Sequence, residues 1–296
     1  MKSCHFFLFG FFIMLGFTSQ AAKVDSLNIP SAAMNKTYRA AVVLPNSYAR
    51  SKAAFPVLYL LHGGGGRFSD WLRQTPDKQL LHKLADQYNI IIVTPEGERL
   101  GGYLDSPVQK DNLFETYITQ EVLTKIDNTY RTIRDRKGRV ITGLSMGGHG
   151  ALYLATRHPE LYCAAGSMSG ALDLDPANWK ITPEFAKQIT PGFERILGPR
   201  GASPNLYAAH SVVNMAEKLK ANDVKLIIDC GVNDFLLEPN RELHRRLVYN
   251  KTPHDYTERP GGHTWDYWEN SLPYHLQFFQ KLLLSNGIAN LQAQKK

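Results

Sequence analysis

The chain has 296 residues, 43% hydrophobic and 21% charged, which suits one sizeable globular domain or at most two. Its formal charge of +7 raises the question of an acidic partner. However, the basic cluster Arg131, Arg134, Arg136, Lys137 and Arg139 has no aromatic residues interleaved after Tyr130 and no nucleic-acid motif beside it; a solvated loop and no nucleic-acid partner are expected.

At the start of the chain, Lys2 precedes an apolar run over 6–17, followed by Ser19, Ala21 and Ala22. This is the pattern of an export signal cleaved after Ala21, with Ala22 the second choice. Residues 1–21 are therefore expected to be removed, leaving 22–296 as one secreted or periplasmic domain. The apolar run is short against the ~20 residues of a bilayer span, and no cysteine stands at the cleavage point to carry a lipid. No stable membrane insertion is expected. Beyond the signal only Cys163 and Cys230 remain, too few for a disulfide scaffold. Both fall in apolar runs and are expected as free, buried thiols.

Apolar runs rich in β-branched residues at 38–44, 57–61, 90–94, 140–144, 163–167, 225–229 and 255–259 alternate with amphipathic stretches. The clearest helical stretches are 114–130, 148–158, 206–221, 239–249 and 265–284. This alternation predicts an α/β fold, a mostly parallel central sheet with helices on both faces. One stretch breaks the rhythm. Residues 171–205 are rich in Pro and Asp and too long for an ordinary connection, so a lid-like insertion is expected there rather than a domain boundary.

Gly143-Leu144-Ser145-Met146-Gly147 ends one apolar run and opens a helical pattern, the spacing of a strained strand-to-helix turn that lifts a serine hydroxyl clear of the sheet. In parallel sheets, ligands gather beyond the carboxyl ends of the strands, so the residues after the other runs are candidates too. Asp234 follows the run ending at Asp229 in a glycine turn, where it either orients an imidazole or caps a helix. His263 follows the last run behind Gly261 and Gly262, placed to act as a general base. The chain order Ser145, Asp234, His263 is that of α/β-hydrolases. His149, one turn beyond Ser145, is expected to pack beneath the site. Near the front, His62 opens a run of four glycines, 63–66, without the ending of a phosphate-binding loop. Backbone N–H groups of Gly64, with Gly63 the alternative, and of Met146 are the expected donors to a developing oxyanion. His62 itself is expected to fix the loop.

The runs Leu60-Leu61-His62-Gly63-Gly64, Asp70-Trp71, Tyr130-Arg131-Thr132, Gly143 to Gly148, Asn233-Asp234 and Gly262-His263 with Trp265 resemble the esterase D family of α/β-hydrolases. That group includes S-formylglutathione hydrolases, feruloyl and acetylxylan esterases, and mycolyl transferases. The resemblance spans roughly 38–284 and implies a serine carboxylesterase that works through an acyl-enzyme without metal or organic cofactor. By analogy it assigns the oxyanion donors to Met146 and Gly64. Export favours ester-decorated extracellular material, with feruloyl or acetyl esters on plant polysaccharide the expected substrates. Tyr103, Trp179 and Trp265 are candidate substrate contacts. The alternatives are an acyltransferase, a thioesterase like S-formylglutathione hydrolase, or a carbohydrate-binding protein on an inactive hydrolase fold.

Overall fold

A computed structural model describes residues 23–288; the export signal expected at 1–21 lies outside them. Eight strands form one sheet: β1 Lys23–Ser31, β2 Lys36–Leu44, β3 Val57–Leu61, β4 Ile91–Pro95, β5 Arg139–Gly143, β6 Ala164–Met168, β7 Lys225–Gly231 and β8 Asp255–Arg259. Their order is β1-β2-β4-β3-β5-β6-β7-β8. β1 and β2 run antiparallel to their neighbours, and every other pairing is parallel. This is the α/β-hydrolase fold. Among the described residues no helix is long and apolar enough to cross a membrane.

Both faces of the sheet are covered, and β3 shows why its sequence is unbroken Val-Leu-Tyr-Leu-Leu. All five residues are buried. Strand alternation sends Val57, Tyr59 and Leu61 into one apolar cluster and Leu58 and Leu60 into the cluster on the opposite face. At the edges the pattern weakens. β1 alternates exposed with half-buried or buried positions along Lys23–Ser31, which is why no apolar run announces it. β8 is charged or half-exposed throughout, as suits an edge that must not recruit a further strand.

Three helical expectations change. The stretch 206–221 is broken into Pro204–His210, the 3-10 turn Val212–Met215 and Ala216–Ala221, because Ser211 is extended and its hydroxyl accepts from Leu174 N–H at 2.8 Å while donating to Tyr207 O. The stretch 114–130 is helical with a π turn over Tyr117–Val122. The insertion at 171–205, read from sequence as loop, carries a 15-residue helix, Pro183–Leu197. Thr182 caps it, accepting from Phe185 N–H, and Pro183 stands in its first turn. The basic cluster is not wholly solvated either. Arg139 is 7% exposed and pairs with Asp127 at 2.5 Å, while Arg136 donates to Tyr162 O. Cys163 and Cys230 are free and buried.

Under the end of β7 lies a buried polar knot. The carboxylate of Asp229, 2% exposed, accepts from Tyr267, Ser271 and His275 and faces Arg259 at 3.3 Å. The far side of His275 meets the Thr142 hydroxyl of β5, so the knot ties the last helix, Trp265–Ser285, across three strands. Burial opposes the charge of Asp229, but the His275 and Arg259 partners outweigh it and hold the carboxyl below its ordinary range. The stabilisation is therefore complete above the unfolded carboxyl value and is lost as the pH falls through the lower folded one. Asp229→Ala leaves these donors facing a void and should lower stability by about 3–5 kcal/mol, measured by urea denaturation at neutral pH. The difference from wild type should shrink in acid.

Candidate active site

Ser145 stands at φ 55°, ψ −117°, a left-handed conformation that a non-glycine residue holds only when its surroundings enforce it. Its N–H donates to Met168 O of β6, and its carbonyl accepts from His149 and Ala171 N–H. The flanking glycines are a spatial necessity. A Cβ on Gly143 would stand 2.6 Å from the Gly147 carbonyl, and one on Gly147 would stand 2.6 Å from the carbonyl oxygens of Leu61 and His62. Strand, helix and front loop thus touch backbone to backbone.

The other two candidates arrive on loops that are knit together. Asn233 N–H donates to Gly261 O and Val232 N–H to Arg259 O, so the turn after β7 and the turn after β8 move as one piece. Asp234 is buried and accepts from Leu236 N–H at 2.8 Å. The same carboxylate faces His263 Nδ1 at 2.9 and 3.1 Å. Of the two roles the sequence left open it thus takes the position that orients an imidazole, while Leu236 stands at the helix N-cap without a side-chain cap. His263 Nε2 lies 2.9 Å from Ser145 Oγ. Alcohol, imidazole and buried carboxylate stand in series, the arrangement that turns a hydroxyl into a nucleophile.

Gly64 and Met146 line the cavity beside Ser145, and a Cβ on Gly64 would come 3.9 Å from the Met146 Cβ. Met146 opens the helix Met146–Arg157, where an N–H has no acceptor within the helix. His62 holds the loop: its Nδ1 donates to Gly63 O at 2.8 Å and its Nε2 accepts from Gly97 N–H at 2.9 Å. His149 is buried on the floor of the cavity and donates through Nε2 to His210 O. Burial pushes its pKa down to about 4, so it stays neutral.

The cavity measures about 360 Å³. Trp179 lines it, with the indole N–H anchored on Asp173 O. Two other aromatic candidates do not reach it. Tyr103 is 0% exposed because its own backbone is left-handed at φ 54° and its hydroxyl lies under the front loop, donating to His62 O and accepting from His62 N–H. Trp265 packs edge-on between Trp71 and Trp268, away from the cavity lining. Phe185, Ile189 and Phe193 form the wall instead, together with Phe235. The first three recur every fourth residue, a helical stripe legible in the sequence; Phe235 directly follows Asp234 and carries no such signal.

These features define the class, an α/β-hydrolase with a serine in the elbow. Residues 31–279 match the Esterase family, described as esterases. An acetyl esterase of Caldicellulosiruptor saccharolyticus is 26% identical over 233 residues, 76% of this chain and 83% of that protein. An esterase of Mycobacterium tuberculosis (strain ATCC 25618 / H37Rv) is 30% identical over 239 residues, 75% of this chain, which spans only 51% of its length. The solved structure of a ferulic acid esterase superposes with a TM-score of 0.73 at 30% identity, covering 89% of this chain and 100% of that one. The chain belongs to the Esterase family and is a carboxylic ester hydrolase.

Gly147→Ala drives a methyl group into two carbonyls of the front loop. It should destabilise the fold by about 1–3 kcal/mol, as overpacking does. Gly201→Ala, with nothing within 4 Å of the added carbon, should stay within about 0.5 kcal/mol of wild type. Urea midpoints of the two variants check the contrast.

Proposed function

We infer that the protein is a secreted serine carboxylesterase whose substrates are aromatic acyl esters on polysaccharide, of the feruloyl kind. Ser145 is the nucleophile, His263 the general base and then general acid, and Asp234 the group that orients the imidazole and stabilises the imidazolium. His263 Nε2 takes the Ser145 proton as Oγ attacks the ester carbonyl. The oxyanion is held by the N–H groups of Gly64 and Met146. The alkoxide leaves with the proton from His263, and water resolves the acyl-enzyme by the same route.

The observation that carries this reading is the 2.9 Å contact of Ser145 Oγ with His263 opening into a cavity walled by Trp179, Phe185, Ile189 and Phe193. An acetyl group leaves most of that wall uncovered. A phenylpropenoyl group covers it, and each buried CH₂-sized increment contributes about 0.8 kcal/mol of binding. The ferulic acid esterase among the similar structures supports this choice of acyl group, whereas the acetyl esterase relative supports the smaller one. The export pattern of residues 1–21 supports an extracellular, polymer-linked alcohol.

Ser145→Ala should abolish turnover of a nitrophenyl ester while far-UV circular dichroism stays native, and Asp234→Asn should lower kcat by about 10⁴-fold. In wild type, kcat/KM should be at least about tenfold higher for methyl ferulate than for methyl acetate, since hydrophobic discrimination of ~1–3 kcal/mol per increment accumulates over a ring. Equal values, or a preference for acetylated xylan, would reverse the acyl assignment.

A further inference from the structure

Three of the chain's four tryptophans form an unbroken line from the front loop to His263. Trp71 is buried and its indole N–H donates to Leu61 O at 3.1 Å; Leu61 is the residue immediately before the His62 loop. The Trp71 and Trp265 rings meet at 5.3 Å and 88°, Trp265 and Trp268 at 5.3 Å and 90°, and Trp268 and His263 at 4.8 Å and 89°. Each step is edge-to-face, a geometry with a preferred distance and angle. Trp265 and Trp268 lie three residues apart in the first turn of the last helix, so they share one face.

His263 needs such support. Asp234 and Ser145 hold two edges of the imidazole in its plane but resist tilting out of that plane weakly. The backbone that delivers the ring is the Gly261-Gly262 pair, with Gly261 at φ 133°, a conformation that constrains the chain little. What opposes tilting is the packing of Phe235, 4.4 Å away, and Trp268. Trp268 continues through Trp265 and Trp71 to the Leu61 carbonyl, on the oxyanion side.

We propose that Trp71, Trp265 and Trp268 are positioning residues that form an aromatic strut, fixing the separation between the base His263 and the front loop that supplies the Gly64 amide. The proposal rests on the serine-esterase reading given above. Trp265 is its keystone, because it stands outside the cavity lining yet joins the other two rings. Proton transfer and oxyanion stabilisation must occur around the same carbonyl, so a strut linking their supports acts on the chemical step and leaves ground-state binding unchanged.

Trp265→Leu tests it. A nitrophenyl ester should show kcat lowered about tenfold or more, within the ~100-fold that a 1 Å misplacement brings, with KM unchanged within about twofold. Fluorophosphonate labelling of Ser145, which needs the activated hydroxyl but little of the cavity, should slow by a similar factor. Trp265→Phe keeps an edge-to-face ring and should recover most of the rate. If Trp265→Leu does not fold, Trp71→Phe keeps a ring while removing the N–H to Leu61 and should give a smaller kcat loss of the same signature. A folded Trp265→Leu with wild-type kcat, or with raised KM and unchanged kcat, overturns the strut; the second result would make Trp265 a substrate contact. Ser145→Ala run in parallel separates the two levels. Retained turnover in that variant overturns Ser145 as the nucleophile, whereas silence there with an unaffected Trp265→Leu overturns the strut alone.

Discussion

Everything at the site depends on one backbone approach, where Gly143 at the end of β5 meets Gly147 in the first turn of the following helix and Gly147 in turn meets the carbonyls of Leu61 and His62. Nothing larger than hydrogen fits between these segments. The contact forces Ser145 into its left-handed conformation and sets Met146 at a helix start. It also brings the His62 loop against the elbow, so that Gly64 and Met146 lie side by side. Ser145 and both candidate oxyanion donors are thus placed by a single steric constraint. The other two polar side chains come from the far half of the sheet, on turns joined by Asn233 N–H to Gly261 O.

How much of this was legible follows from what kind of signal each part leaves. β3 carries the predicted limits because a buried parallel strand writes a continuous apolar run. β8 carries them too although it is polar and partly exposed, and the remaining predicted strands shift by a residue or two. β1 writes none: it is a half-exposed edge strand that pairs within the sheet with β2 alone. Ser145, Asp234 and His263 could be picked out because each follows a strand through a glycine-marked turn, and the structure brings the three together. Tyr103 and Trp265 show the limit of that reasoning. Proximity to the rim says where a residue lies along the chain but not which way its side chain faces, and here one faces under the loop and the other into a stack of indoles.

The helix Pro183–Leu197 was hidden for a different reason. Pro183, Pro191 and the acidic, proline-rich approach to it resemble loop chemistry, and the prolines weigh against a helix in any summed propensity. Yet Pro183 stands in the first turn, where its missing N–H is no loss, and the tertiary contacts of Phe185, Ile189, Phe193 and Ile196 over the site supply what propensity lacks. Outside the cavity, Arg195 reaches Gln109 and Leu100 O, and Ser106 donates to Ile196 O, so the helix is moored to the loop that follows β4.

The division of labour between these parts bears on how such a site changes over generations. Ser145, Asp234 and His263 are dispersed across three turns that are interlocked with the sheet. Apart from Phe235, the aromatic wall facing them is one contiguous cassette, from Trp179 to Phe193. Point substitutions or wholesale exchange within that cassette can reshape what the cavity admits while the scaffold is inherited intact, giving descendants of one chain access to different esters without rebuilding the apparatus that cleaves them.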